Sequence, residues 1–151
     1  MSGLQSERTS FHELLDEHHD LMRRIAEVQQ FGKEVCELGQ GPRYEELADH
    51  VAQVRDLLKQ HFATEEKDGY FANVLNIAPQ FSEQVAELSH QHAEFLKQLD
   101  QLTSSLRSKD VECWDSVCSR FDAFVEALQL HEHEENKILQ TAFNQDIGAG
   151  D

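Results

Sequence analysis

The amino-acid sequence predicts an all-α protein of one domain, folded as an up-down-up-down four-helix bundle. The chain has 151 residues but only two prolines and seven glycines, so few positions interrupt a helix. Apolar residues recur at alternating spacings of three and four, which is the period of one face of a helix. Short stretches rich in glycine, proline, asparagine or serine separate four such runs, a pattern typical of long helices joined by short loops.

The order of the elements follows from these breaks. The four predicted helices have the approximate bounds 11–38, 42–67, 80–107 and 111–143. An alternative for the second helix is that it continues to Leu75 past a kink at Gly69. The polar residues 1–10 are expected to form a flexible arm, and residues 144–151 a disordered tail. The bundle itself is therefore predicted to cover residues 11–143.

Charge and composition exclude several classes of partner. A net charge of −16 argues against a nucleic acid or an anionic membrane, because both are bound through a surplus of lysine and arginine. No apolar run approaches the roughly 18 residues of a membrane span, and no signal peptide precedes Phe11, so a cytoplasmic location is expected. The odd number of cysteines and the lack of a Cys-x-x-Cys pair predict buried thiols in a reducing compartment, at Cys36, Cys113 and Cys118.

Nine histidines is a high count. Their positions on the predicted helices separate those that face the core from those that face solvent. Each predicted helix has one histidine within its apolar seam, and in two helices a glutamate follows one turn later on the same face. The six inward positions are His18, His61, Glu65, His92, His131 and Glu135. Four further histidines lie on polar stripes and are predicted to be bystanders: His12, His19, His90 and His133.

A single inward histidine is more often a hydrogen-bonded core residue than a metal ligand. An inward glutamate is harder to explain in that way, because an unpaired buried carboxylate costs several kcal/mol. At a rise of about 1.5 Å per residue along antiparallel helices, all six positions fall within one layer about two turns thick. The shared height predicts a metal site near one end of the bundle.

The donor set indicates which metal fits. Four imidazoles and two carboxylates without a thiolate predict a two-metal site, in which each glutamate bridges and each metal takes two imidazoles. Iron fits this set best and manganese second. Zinc could also bind, but it normally closes a tetrahedron and has no redox chemistry.

Four stretches of the chain resemble the motifs of the hemerythrin-like (HHE cation-binding) family, in order and at the family's spacings. They are Asp16-Glu17-His18-His19-Asp20-Leu21-Met22, His61-Phe62-Ala63-Thr64-Glu65-Glu66, His92-Ala93-Glu94-Phe95-Leu96 and His131-Glu132-His133-Glu134-Glu135. The resemblance implies a non-haem di-iron centre carried by the six inward residues. It also implies a small diatomic ligand or peroxide as partner.

Two departures separate the chain from the oxygen-carrying members of that family. Those carry a second histidine where this chain has Leu88. Their last motif is a histidine followed five residues later by aspartate, whereas here Glu135 follows His131 by four residues. The four-His, two-Glu pattern is instead similar to members linked to nitric-oxide stress and iron-centre repair, and to the iron-sensing domain of an F-box protein. The cysteine-bearing N-terminal extension of the repair proteins has no counterpart here.

Three functions therefore stay open. The first is a protein that binds or senses O₂, NO or peroxide, which would need a separate protein partner for signalling. The second is an iron donor in iron-centre repair, or a redox enzyme that consumes peroxide or NO, for which Tyr70 is the one candidate proton relay. The third is a metal-storage or structural bundle. A binding or sensing protein is expected over a dedicated enzyme.

Overall fold

A computed structural model describes residues 2–38, 43–67, 70–108 and 111–150, and these form five α-helices. The helices are Ser2–Leu38 (α1), Arg43–Lys67 (α2), Tyr70–Ile77 (α3), Ser82–Arg107 (α4) and Val111–Gly150 (α5). A 3-10 turn, Pro79–Phe81, leads into α4, with proline in the first turn, where its missing N–H is not needed.

The four long helices pack as a closed ring. Helix α1 contacts α2, α2 contacts α4, α4 contacts α5, and α5 returns to α1. The short α3 packs against α2 and α5 at one end of this ring. The predicted all-α four-helix bundle is confirmed, with one additional short helix.

The helix ends differ from the sequence-based bounds. Helix α1 begins at Ser2 instead of Phe11, because residues such as Leu4, Gln5 and Glu7 favour a helix and continue it toward the N-terminus. Helix α5 likewise continues to Gly150. The flexibility of residues 1–10 and the disorder of 144–151 remain predictions.

The break after the second helix is also clearer in the structure. Helix α2 ends at Lys67 and α3 begins at Tyr70 as a separate helix, while Gly69 lies outside the described residues. The eight residues of α3 are strongly apolar on one face, and Phe71 and Val74 are buried. Packing of this face, not helix propensity, determines where the segment lies.

Two apolar clusters fill the interior. The larger one extends through most of the bundle and includes Phe62 and Phe95. The smaller one, under α3, includes Phe71 and Leu88. The ring of His92 lies 3.8 Å from that of Phe62 and 5.9 Å from that of Phe71 (between centroids), so the histidine layer lies where the two clusters meet.

A disulfide joins Cys36 on α1 to Cys118 on α5. The prediction of free buried thiols is therefore wrong for these two cysteines, which are half-buried; the side chain of Cys113 lies outside the described part of the chain. The two cysteines are 82 positions apart, so no local sequence pattern indicates the bond. Within the described ranges, no helix is both long and apolar enough to cross a membrane.

Candidate metal centre

Six side chains from the four long helices meet inside the bundle. Helix α1 contributes one histidine and α4 another, while α2 and α5 each contribute a histidine and a glutamate one turn apart. All six are buried, with relative exposures of 8% or less: His18, His61, Glu65, His92, His131 and Glu135. The structure thus brings together every residue of the predicted metal layer.

The six residues form two overlapping groups. His18, His61, Glu65 and Glu135 offer donor atoms within 4.8 Å of one another, and so do His92, His131 and Glu135. Glu135 belongs to both, with Oε1 3.2 Å from Nε2 of His18 and Oε2 3.4 Å from Nε2 of His131. Its two oxygens therefore face two different pairs of imidazoles, which is the arrangement of a bridging carboxylate.

Glu65 is placed differently. Its Oε1 lies 3.0 Å from Nε2 of His61, one turn earlier on α2. It belongs to the first group and not to the second. The predicted bridging role of Glu65 stays a prediction.

The four imidazoles have a common orientation, with Nδ1 directed away from the centre toward a polar side chain. The contacts are His18 to Asn136 Oδ1 at 3.0 Å, His61 to Glu17 Oε2 at 3.8 Å, His92 to Glu66 Oε1 at 3.1 Å and His131 to Gln91 Oε1 at 2.6 Å. An acceptor at Nδ1 holds the proton on that nitrogen and leaves Nε2 with a free lone pair. The neutral rings of His18, His92 and His131 are thereby prepared to donate through Nε2, while the contact of His61 is too long for a hydrogen bond.

The inner atoms have no hydrogen-bond partners. Nε2 of all four histidines and both oxygens of Glu65 and Glu135 are buried without one. Buried polar groups are nearly always hydrogen-bonded, so this many unsatisfied atoms in one place requires an explanation. Nitrogen and oxygen donors that converge in this way fit a metal cation, and in particular a borderline transition metal such as iron.

Burial and mutual repulsion shift the pKa values within the centre. Burial raises the pKa of Glu65 far above its usual range, and the neighbouring Glu135 carboxylate adds to this. Burial would also raise the pKa of Glu135, but Glu65, His131 and His18 together hold it well below its usual range. Without metal, a proton therefore stays on Glu65 while Glu135 is ionised.

The histidines divide in the same manner. Burial lowers the pKa of His18, but the carboxylates of Glu132 and Glu135 outweigh it and raise that pKa to about 10. Burial and the charge of His18 lower the pKa of His61 to about 4, and burial also lowers that of His92. A protonated His18 thus supplies positive charge where a metal ion would supply it.

Aromatic rings surround the second group. Phe62 stacks on His92 with centroids 3.8 Å apart, and Phe95 lies edge-on to His131 at 5.2 Å. Phe71 covers the His92 side at 5.9 Å. These rings make the His92 and His131 side of the centre apolar.

Two grooves of about 360 Å³ each approach the centre from outside. One lies between α1 and α2, includes Glu17, Asp20 and Thr64, and reaches His61. The other lies between α4 and α5, includes Gln91 and the exposed Leu130, and reaches His131. Each group of ligands thus has its own opening toward solvent.

The remaining histidines lie apart from the centre. His19, His90 and His133 are exposed, as predicted, and the side chain of His12 lies outside the described part. His50 is half-buried against Phe31, with ring centroids 5.1 Å apart. The side chain of Tyr70 also lies outside the described part, so its role stays a prediction.

Glu132 is a buried carboxylate beside the centre that was not among the predicted site residues. This carboxylate is 5% exposed, and its Oε2 lies 2.9 Å from Nδ1 of His18. A signal was present, because Leu128, Glu132, Glu135 and Leu139 follow one another at spacings of four, three and four, and all are buried. The buried face of helix α5 is therefore wider than the single apolar seam that contains His131.

A four-helix bundle with a buried cluster of histidines and carboxylates defines a class of proteins that hold metal cations within the bundle core. The chain matches the model of the hemerythrin HHE cation-binding domain over residues 9–143. It belongs to that family, as its motifs predicted. Comparisons with curated proteins and with solved structures gave no match.

Proposed function

We propose that the protein is a non-haem di-iron protein that binds a small molecule, O₂, NO or peroxide, at an open metal position. The observation that carries the proposal is the set of four Nε2 atoms that face one interior space without a partner, while Nδ1 of three of the rings is hydrogen-bonded from outside. A histidine cluster built for hydrogen bonding alone would use both nitrogens of each ring.

The two groups of ligands support a pair of ions. His18 and His61 with Glu65 would hold one ion, and His92 and His131 the other, with Glu135 between them. Four imidazoles and two carboxylates provide at most eight donor atoms, which leave two six-coordinate ions with unfilled positions. Manganese or zinc could occupy the same donors, but iron would supply the redox chemistry that O₂ or peroxide needs.

The surroundings favour a small, weakly polar ligand. The rings of Phe62, Phe95 and Phe71 pack against His92 and His131 and make the interior on that side largely apolar. An apolar pocket with few polar groups accepts O₂ or NO without loss of hydrogen bonds. The groove that reaches His131 supplies a path from solvent on that side.

The test is to prepare the ferrous protein without oxygen and then add O₂, NO or peroxide separately. We expect new charge-transfer absorption bands with at least one of them. His133→Ala, which changes an exposed histidine two residues from His131, is the matched control and should give the same bands. No spectral change with any of the three would contradict small-molecule binding and favour storage or a structural metal.

The same preparation separates the remaining alternatives. Repeated consumption of peroxide or NO by a catalytic amount of protein would indicate a redox enzyme, and transfer of iron to an acceptor protein would indicate a donor. For a sensing role, a separate protein partner stays a prediction. A cytoplasmic location also stays a prediction, and the Cys36–Cys118 disulfide does not support it, because such bonds persist mainly in oxidising compartments.

A further inference from the structure

Glu132 is a buried carboxylate that the six-residue centre leaves unexplained. It lies on α5 between His131 and Glu135, it is 5% exposed, and neither of its oxygens has a hydrogen-bond partner. An ionised carboxylate in such a place is costly unless a cation or several donors compensate it. The described side chains supply no lysine or arginine in contact with it.

The neighbouring His18 compensates Glu132 only while no metal ion is bound. In the metal-free chain His18 carries a positive charge, and its Nδ1 lies 2.9 Å from Glu132 Oε2, although the same nitrogen makes its hydrogen bond to Oδ1 of Asn136 at 3.0 Å. With a metal ion on Nε2, His18 is a neutral imidazole that has one proton to give at Nδ1, and Asn136 accepts it. In the loaded centre Glu132 would therefore be an acceptor without a donor.

The other oxygen of Glu132 faces the ligands of the first ion. Glu132 Oε1 lies 4.0 Å from Nε2 of His61, which is an unsatisfied donor atom of the centre. Two donors that each lie about 2.1 Å from one ion can be at most about 4.2 Å apart. The observed distance is within that limit. Glu132 does not belong to the group of donor atoms that lie within 4.8 Å of one another, so its side chain has to turn toward the ion when metal binds.

We propose that Glu132 is a third carboxylate ligand, bound to the ion that His18 and His61 hold. This inference rests on the proposed two-metal centre and deepens it. The added carboxylate makes the two ions unequal in their number of protein donors. The ion at His92 and His131 then has the fewer donors and the apolar surroundings, so it is the one that binds the small molecule.

The direct test is a crystal structure of the iron- or manganese-loaded full chain. We expect an oxygen of Glu132 at about 2.0–2.2 Å from the ion at His18 and His61. A loaded structure in which both Glu132 oxygens stay outside bonding distance of either ion would overturn the proposal. A wild-type chain that binds no metal would instead contradict the proposed function itself.

A second test measures metal affinity by titration with Fe²⁺ under nitrogen against a chelator. Glu132→Gln keeps the shape of the side chain and removes its charge, and we expect one of the two ions to bind at least 100-fold more weakly. Glu126→Gln, an exposed change on the same helix, is the control and should bind both ions as the wild type does. Equal affinity of Glu132→Gln and the wild type for both ions would also overturn the proposal.

Thermal unfolding shows whether the Glu132→Gln chain is folded. Its metal-free form should still unfold in one cooperative transition, and its melting temperature should rise less than that of the wild type when metal is added. The same metal-induced rise as in the wild type would count against a ligand role for Glu132.

Discussion

Glu135 lies between His18 of α1 and His131 of α5, and its Oε1 is 3.2 Å from Nε2 of His18. Its other oxygen is 3.4 Å from Nε2 of His131, one turn earlier on its own helix. No other residue belongs to both groups of metal-ligating atoms in the described part of the chain. The position of this single carboxylate links two sets of imidazoles into one centre.

Replacing Glu135 should therefore affect both ions. We expect Glu135→Gln to lose most of both equivalents of iron, because each group loses a charged oxygen donor. Glu65→Gln should weaken mainly one of them, since Glu65 belongs to one group. Elemental analysis after anaerobic loading measures this, with the exposed Glu134→Gln as control. Equal losses in the Glu65 and Glu135 variants would show that Glu65 also bridges.

The metal-free protein should be less stable than a variant that cannot ionise at position 65. Glu65 carries a proton in the folded metal-free chain but is ionised in the unfolded chain at neutral pH, so folding has to take up a proton there. Glu65→Gln removes this cost and should stabilise the metal-free chain by about 1–3 kcal/mol. Urea unfolding of both metal-free proteins measures the difference in free energy of unfolding. A metal-free Glu65→Gln that is less stable than the wild type would mean that Glu65 makes stabilising contacts of its own.

Metal affinity should rise with pH. At neutral pH the metal-free His18, with a pKa of about 10, and Glu65, with its raised pKa, both carry a proton. Metal binding must displace these protons, so affinity increases by about tenfold per pH unit for each proton released, until the pH passes the pKa concerned. Chelator competition at pH 6.5 and 8.5 measures the change. A metal affinity that does not change with pH would show that neither His18 nor Glu65 releases a proton when metal binds.

The partners at Nδ1 should tune affinity without binding metal themselves. Gln91 Oε1 lies 2.6 Å from Nδ1 of His131, and loss of such a partner usually costs 10–100-fold in metal affinity. We expect Gln91→Ala to weaken binding within that range while the stoichiometry stays the same at high metal concentration. His90→Ala, an exposed change next to it, should have no effect. Metal loss in His90→Ala would show that the helix register is wrong.

The sequence predicted the long helices and the inward layer because their signal is local. Periods of three and four placed His61 with Glu65 and His131 with Glu135, and the short loops fixed the antiparallel order. What it could not predict depends on distant contacts. The separate helix α3 follows from packing of Phe71 and Val74 on the bundle, and the Cys36–Cys118 bond joins residues 82 positions apart. Glu132 was missed because α5 buries more than one seam.

The disulfide gives a prediction that is independent of the metal. Cys36→Ser should lower the free energy of unfolding of the oxidised protein by about 2–4 kcal/mol, because the unfolded chain loses a long cross-link. Its metal content should stay unchanged, since neither cysteine belongs to the two groups of ligating residues. Urea unfolding with and without a reductant measures this. Equal stability of the variant and the wild type under oxidising conditions would contradict the bond.

The central claim is that the six inward residues hold two metal ions, and the most direct measurement is the iron content of the anaerobically loaded full-length chain. We predict two iron ions per chain for the wild type and a clear loss in both His61→Ala and Glu65→Ala, with circular dichroism to show that both variants remain helical. An unchanged iron content in both variants would contradict the account.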